Sequence, residues 1–380
     1  MAETETFWDS LPRPIIGLSP MNGITDHPFR YIQKKYGSPT PMFTEFSSVH
    51  GLSHGDKKLL KDFLYDESQR PIIAQIYGYT PDLFRQTAIV LCQLGFDGID
   101  INMGCPAKSV AHGGSGAGLI KTPRLAQQIV QASKQGVHEW QAGATARNCP
   151  DIPSFIADEV ERRHRSLTPY YRAARPIPVS VKTRIGYAES EVDEWIPYLL
   201  ESEPVALSIH GRTLKQGYSG SSDWDEIGRS ADIARGSETL ILGNGDIQSP
   251  ADARTRVADY GVDGALIGRA SYGNPFIFNQ ANEYAHEYET TLQDEAHRHQ
   301  MLHIALEHAR LYEESFQHLD RYQFAPMRKH LGWYVRSLPG ARGLRRDLTQ
   351  TSSVDEVVEI VDRYFAYRKR WKDRVLQPAL

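Results

Sequence analysis

Eight short apolar, β-branched runs recur through the first 270 residues of this 380-residue chain. They are Ile15–Met21, Pro41–Phe46, Ile72–Gly78, Gly98–Gly104, Pro178–Arg184, Ala206–Arg212, Leu240–Asp246 and Gly264–Arg269. Stretches with helical spacing, such as Pro81–Leu94, Pro123–Ser133, Glu191–Leu200 and Pro250–Tyr260, separate most of them. Buried strands that alternate with helices form βα units and a parallel sheet. Eight such units in about 270 residues predict an α/β chain folded as a (β/α)8 TIM barrel. A doubly wound sheet is the structural alternative, but it usually has fewer strands and a single glycine-rich first turn.

Nearly every run ends in polar residues. In order these are Met21-Asn22-Gly23, Glu45, Gln75, Asn102 with Cys105, Lys182 with Arg184, His210 with Arg212, Asn244-Gly245-Asp246, and Gly268-Arg269. In a barrel all these ends share the face that carries the active site. Each has a structural reading by itself: Lys182 as an ion pair, His210 as a hydrogen-bonded core histidine. Seven or eight strands ending this way make one composite site the economical reading. Runs seven and eight bring glycines, where barrels commonly hold a ligand phosphate through backbone N–H groups. Gly245 and Gly268 would supply them, helped by Arg269. Lys182 and Gln75 would then reach a ring system, with Met21 packed beneath it. A cationic lysine among neutral donors suits FMN, whose N1/O2 edge turns negative on reduction. No Gly-x-Gly-x-x-Gly follows the first run and no Walker-type Gly-Lys-Ser/Thr occurs, which argues against a Rossmann dinucleotide or P-loop site. The run Gly113–Gly118 reads as a flexible loop over the site.

In Asp100-Ile-Asn-Met-Gly-Cys-Pro106, a glycine and a proline lift the Cys105 thiol off the end of the fourth run. A packed small hydrophobe and a reactive thiol are both open readings of that segment. Cys92, Cys105 and Cys149 are too few and too scattered for a disulfide framework or a metal site. No apolar run approaches the roughly 18 residues of a membrane span. The acidic N-terminus lacks the marks of a signal peptide. A cytoplasmic protein is expected.

These elements together resemble the bacterial-type tRNA-dihydrouridine synthases. The resemblance is carried by Ser19-Pro-Met-Asn-Gly-Ile-Thr-Asp26, Ala74-Gln-Ile76, and Asp100-Ile-Asn-Met-Gly-Cys-Pro106 with Lys108. Gly113-Gly114, Gly116-Ala-Gly118, Val181-Lys-Thr-Arg-Ile-Gly186, His210-Gly-Arg-Thr213 with Gly217-Tyr-Ser-Gly220, Gly243-Asn-Gly-Asp246 and Ile267-Gly-Arg269 continue it. Met327-Arg-Lys-His-Leu-Gly-Trp-Tyr334 looks like the family's helical domain. The resemblance implies an oxidoreductase that reduces the C5=C6 bond of selected tRNA uridines, with FMN as cofactor and NADPH as reductant. By position, Pro20, Met21, Asn22, Gln75, Lys182, His210, Asn244, Gly245, Asp246, Gly268 and Arg269 would bind FMN. Cys105 would be the proton donor, which requires a thiol rather than a thiolate. Asn102, Arg184, Arg212 and Lys108 would meet the uridine, and Arg328 and Lys329 the RNA. No obligate protein partner is evident.

The expected division is a catalytic barrel over 1–291 and a helical, tRNA-binding domain over 292–380. Residues 292–380 carry 15 Lys and Arg against 12 Asp and Glu, while the whole chain is −4. A basic domain on an acidic body points weakly to a polyanion. Arg328-Lys329, Arg342–Arg346 and Arg368–Arg374 are its clusters; solvated helix faces are the alternative. Ser353 and Glu356 form a capping box ahead of an apolar stripe, Val354, Val357, Val358, Val361 and Phe365. Residues 137–177 form an insertion between strands four and five. It would lie on or beside the active-site face, or be a plain surface excursion.

Overall fold

The computed structural model describes residues 6–279 and 295–375, apart from 57–58, 112, 321, 337 and 339–340. Eight strands appear where the runs predict them: β1 (Ile15–Leu18), β2 (Met42–Ser48), β3 (Ile72–Tyr77), β4 (Gly98–Asn102), β5 (Val179–Arg184), β6 (Ala206–His210), β7 (Leu240–Asn244) and β8 (Gly264–Ile267). Each pairs in parallel with the next, and β8 pairs with β1 from Ile15–Gly264 to Leu18–Ile267. The ring is closed, so the doubly wound alternative is excluded. Several runs outlast their strands by two or three residues, because Ser19–Met21, Met103–Gly104 and Gly211–Arg212 leave the ladder to build loops at the C-terminal rim.

Helices Pro81–Gln93, Pro123–Gln141, Val192–Leu200 and Pro250–Tyr260 form part of the outer layer. Three begin with proline, whose missing N–H costs nothing in a first turn. Ser249 caps the last of them by accepting from the Asp252 N–H at 3.1 Å, and Gly261 ends it at φ 65°. Inside the ring, Ile15, Phe43, Ile73, Ala206, Leu242 and Leu266 form one apolar cluster with Trp8 and Leu11. Ile15, Phe43, Ile73 and Ala206 are the first or second residues of their strands, so Trp8, 1% exposed, closes that end of the barrel.

Strand register stacks polar residues above this plug. Gln75 pairs with Asp100 and Asp100 with Ser180. Asn102 pairs with Lys182, Arg184 with His210, and His210 with Asn244. Side chains paired across parallel strands point the same way, so three successive polar tiers climb towards the C-terminal rim.

The expected insertion is largely helical, with a helix at Ser154–Ser166 and a short one at Pro169–Arg172. It is pinned to the outside of helix Pro81–Gln93: Gln86 Nε2 donates to Asp151 at 2.6 Å and Gln93 Nε2 to Glu161 at 2.9 Å. Its far end reaches the N-terminal mouths of β3 and β4. There Tyr171 stacks 3.3 Å from the Arg70 guanidinium, and Arg175 donates to Phe96 O at 2.8 Å. It is therefore a surface excursion over the helical layer, its far end at the N-terminal mouths and its Phe155 against Gly55 in the segment after β2. Topology dictates where it ends, because a helix returns the chain to the N-terminal end of the barrel, and residues added before the next strand must finish there.

The chain divides into two compact units, the second consisting of Lys35–Gly37 and the residues from Ser271 onward. The expected boundary at 291/292 lies outside the described residues. The second unit contains helices Glu295–Phe316, Met327–Tyr334, Ala341–Leu348 and Val354–Val375. Leu302, Ile304, Met327, Leu331, Leu348 and Val357 are buried in its core. The Glu356 N–H donates to Ser353 Oγ at 3.3 Å, as a capping box requires, while its carboxylate turns to the Ser352 N–H at 2.8 Å. The side chains of the Arg368–Arg374 cluster lie outside the described residues.

Candidate active site

β4 ends at Asn102, and Gly104 and Cys105 turn back over it. The Asn102 carbonyl oxygen accepts from the Gly104 N–H at 3.1 Å and the Cys105 N–H at 2.9 Å. Cys105 is 9% exposed. Burial raises its thiol pKa above the ordinary value, against the smaller opposing effects of a backbone N–H at Ala107 and the Arg184 charge. The thiol therefore keeps its proton at neutral pH. Above it Gly116–Lys121 forms a 3-10 turn, buried from Gly116 to Ile120, while Gly113 before it is exposed. Gly116 has φ +55°, and a Cβ there would lie 3.0 Å from Cys105 O and 3.2 Å from its Cβ. The glycine thus serves close approach, not mobility.

Lys182 donates to Asn244 Oδ1 at 3.0 Å, and Asn244 Nδ2 donates to Leu266 O at 2.7 Å. Burial first, then the Arg184 charge, lower Lys182 to about 8. An ammonium has three N–H donors, so Lys182 has others to offer a ligand. His210 stands one tier further out. Its pKa falls well below 6.5 through burial and then the charges of Lys182, Arg184, Arg212 and Arg269. The imidazole is neutral, and its buried Nδ1 has no hydrogen-bond partner among the described residues. Gly245 has φ +128°, and a Cβ there would collide with Ser222 Oγ at 2.1 Å. A Cβ on Gly268 would meet Met21 Sδ at 3.4 Å, filling the space in front of Met21.

The arginines expected to meet substrate are deeply engaged instead. Arg184, 5% exposed, donates to Gly104 O at 2.6 Å, Thr213 O at 3.2 Å and Gly217 O at 3.5 Å. It ties the Cys105 turn to the loop after β6. Arg212, 2% exposed, donates to Gly220 O at 2.6 Å and to the Asp246 carboxylate at 2.6 Å. Asp246 also accepts from Arg269 at 2.6 Å and the Ser222 N–H at 2.8 Å. Burial alone would raise the Asp246 pKa, but Ser222, Arg212 and Arg269 together hold it below the usual carboxylate range. Asp246 thus bridges the buried Arg212 and the exposed Arg269.

Pro20 and Met21 are partly exposed on the rim and Asn22 is exposed. Thr25 ties this turn by accepting from the Met21 N–H at 3.0 Å. Glu45, midway along β2, accepts from the Gly23 N–H. Lys108 is exposed in the helical turn after Cys105. Gln75, Asn102, Cys105, Lys182, His210 and Asn244 thus belong to one rim. In the second unit, Arg328 donates to Thr351 O at 2.7 Å, so its guanidinium helps hold that unit together. Asp100 was missed as a contributor, although its spacing from Asn102 in Asp100-Ile-Asn102 places both on one face.

The chain matches the family model for dihydrouridine synthase over residues 17–140 and 165–369. The unmatched stretch between these ranges falls within the excursion over helix Pro81–Gln93. The chain belongs to the dihydrouridine synthase family. A probable tRNA-dihydrouridine synthase 2 of Bacillus subtilis is 32% identical over 368 residues, covering 95% of this chain and 97% of its own. A probable tRNA-dihydrouridine synthase of Staphylococcus aureus is 31% identical over 368 residues, with 95% and 96% covered. Membership makes this chain an oxidoreductase built on a TIM barrel. Among the described residues, no helix is long and apolar enough to cross a membrane.

Proposed function

We propose that this protein is an FMN-dependent tRNA-dihydrouridine synthase that uses NADPH and reduces the C5=C6 bond of selected tRNA uridines. The observation that carries the proposal is the buried, protonated Cys105 thiol, fixed by Asn102 on the rim that also carries Lys182 and His210. The residues present fit FMN. His210 offers an unpartnered buried polar atom, Lys182 a cation with unused donors, and Gly245 and Gly268 backbone without side chains. Gln75, Asn244 and the Pro20-Met21-Asn22 turn complete the cradle. Arg269, steadied by Asp246, would take the phosphate. When bound, FMN supplies the hydride for uracil C6, and NADPH renews it.

Cys105 then acts as general acid. Its S–H bond breaks as the C5–H bond forms, leaving a thiolate that regains a proton from solvent. Burial keeps the thiol protonated until that step. Asn102 and Lys108 stand beside the uridine's path, whereas Arg184 and Arg212 hold the loops that frame it. A uridine must leave the RNA stack to reach this depth, at a cost of a few kcal/mol. Phosphate contacts can offset that cost. The second unit carries a cavity of about 430 Å³ lined by Arg336, Arg342, Arg345 and Arg346 with Ala341 and Thr349. Of these four arginines, only Arg346 is ion-paired among the described residues, to Asp347 at 3.1 Å. We assign RNA phosphate to this cavity, with Arg328 and Lys329 on a neighbouring helix.

The test uses purified protein, FMN, NADPH and tRNA from a strain lacking the gene, with dihydrouridine read by mass spectrometry. Wild type should form dihydrouridine, whereas Cys105→Ala should retain its flavin spectrum and lose most product. No dihydrouridine from the wild type, or a Cys105→Ala protein that forms it at the wild-type rate, would sink the proposal.

A further inference from the structure

Asp100 plays no part in the chemistry above, yet it is a carboxylate with 0% exposure near the centre of the barrel. Two donors satisfy it: Gln75 Nε2 at 2.7 Å and Ser180 Oγ at 2.7 Å. The Gln75 carbonyl in turn accepts from Asn102 Nδ2 at 3.0 Å. The Asn102 carbonyl accepts from the Gly104 and Cys105 N–H groups at 3.1 and 2.9 Å. These bonds have a direction. An ionised carboxylate only accepts, so Gln75 must present its amino group to Asp100 and its carbonyl to Asn102. Asn102 must then turn its amino group inward and its carbonyl to the Cys105 turn. Were both amides reversed, the Asn102 amino group would face two N–H donors, leaving buried donors unsatisfied.

We propose that Asp100 is a positioning residue which, through Gln75 and Asn102, fixes the backbone of Cys105 and hence where its thiol is presented. The proposal rests on the reading of Cys105 as proton donor. It also accounts for a buried charge at this depth. A carboxylate is the group that imposes one orientation on a chain of otherwise reversible amides.

The test moves the carboxylate along the relay. In Asn102→Asp, two acceptors, the new carboxylate and the Gln75 carbonyl, oppose each other. In Asp100→Asn/Asn102→Asp, Gln75 can turn over. The new amide at position 100 would donate to its carbonyl, and its amino group would donate to the new carboxylate at position 102, which still accepts from the Cys105 turn. We would measure hydrogen exchange at Gly104 and Cys105, equilibrium unfolding, and single-turnover dihydrouridine formation in the full-length protein. Asn102→Asp should speed exchange by about tenfold, the cost of one unsatisfied buried polar contact. Asp100→Asn alone, which removes the preference for one orientation but can still accept from Gln75, should speed exchange by about threefold, less than Asn102→Asp. The double variant should return to within about threefold of wild type. Through-space repulsion between carboxylates at positions 100 and 102 could also produce rescue, so the cycle is repeated with Gln75→Met, where a relay predicts that coupling vanishes.

A double variant as exchange-labile as Asn102→Asp, or coupling that survives Gln75→Met, would overturn the proposal. If Asn102→Asp does not fold, a folded double variant with Cys105 protected supports the relay, and an unfolded one refutes it. The exchange and unfolding measurements need no RNA. Failure of the wild type to make dihydrouridine would therefore sink the functional reading alone.

Discussion

Asp246→Ala separates two arginines that the sequence presents alike. The Arg212 side chain, 3% exposed, and the Arg269 side chain, 52% exposed, both bond the Asp246 carboxylate, itself 24% exposed. Removing one member of a fully buried ion pair costs roughly 3–5 kcal/mol, because the other charge stays buried without compensation. Here Asp246 is not fully buried. Arg212 also retains Gly220 O at 2.6 Å, Ser222 Oγ at 3.1 Å and Ser219 O at 3.3 Å. The Arg212 arm should therefore be worth about 2–3 kcal/mol, and the solvated Arg269 arm at most about 1. The sum, about 3 kcal/mol, predicts a fall in Tm of roughly 6–12 °C for a barrel of this size. Arg269→Ala, which removes only the exposed arm, should shift Tm by no more than about 4 °C. Scanning fluorimetry of the flavin-free proteins measures both. If Asp246→Ala melts with the wild type, or no lower than Arg269→Ala, the account of Arg212 as a buried charge dependent on Asp246 is wrong.

Burial and the Glu45 charge raise Asp62 from 3.8 to about 7. An acid so raised contributes stability fully below its unfolded pKa and loses it as pH rises through the folded one. Wild type should thus melt higher at pH 6 than at pH 8, whereas Asp62→Asn, which can keep the Ser47 hydroxyl bond, should show a flatter profile and exceed wild type at pH 8; parallel profiles would refute this. Arg342→Ala/Arg345→Ala should weaken tRNA binding and reduce its log–log salt slope by about 2, leaving NADPH oxidation by the flavoprotein intact; an unchanged slope would remove the cavity from the RNA surface. Trp8→Ala should cost about 3–5 kcal/mol by opening the base of the barrel, and urea unfolding with a loss under about 1 kcal/mol would show that the plug is dispensable.

The barrel was legible because its signal is repeated and local. Strand segments such as Ile15–Leu18 and Gly264–Ile267 carry no polar side chain on either face, which only a sheet covered within and without requires. The plug was not legible. Trp8 stands outside every run, and nothing near it in sequence says that a ring of strands will need closing. The excursion after Gln141 was visible as extra length, but the position of its far end followed from chain direction. The helix before it had already carried the chain to the end of the barrel opposite Cys105.

Within the site, residue type and rim position were legible, whereas the partner of each group was not. Lys182 and Arg184 share a parity on β5, as do His210 and Arg212 at the end of β6, so alternation alone gives all four the same prospect of meeting a ligand. What separates them is the loop after β6. Carbonyls of Thr213 and Gly217 close on Arg184, and those of Ser219 and Gly220 close on Arg212. A guanidinium carries five donors in a fixed fork and no acceptor, so a loop rich in outward carbonyls takes up much of its capacity. A lysine ammonium held by one amide, or a neutral imidazole with a buried nitrogen unpartnered, is left open to a ligand. The divide between frame and site on this rim is therefore one of unused hydrogen-bonding capacity. That capacity depends on contacts across tens of residues, which strand periodicity does not encode.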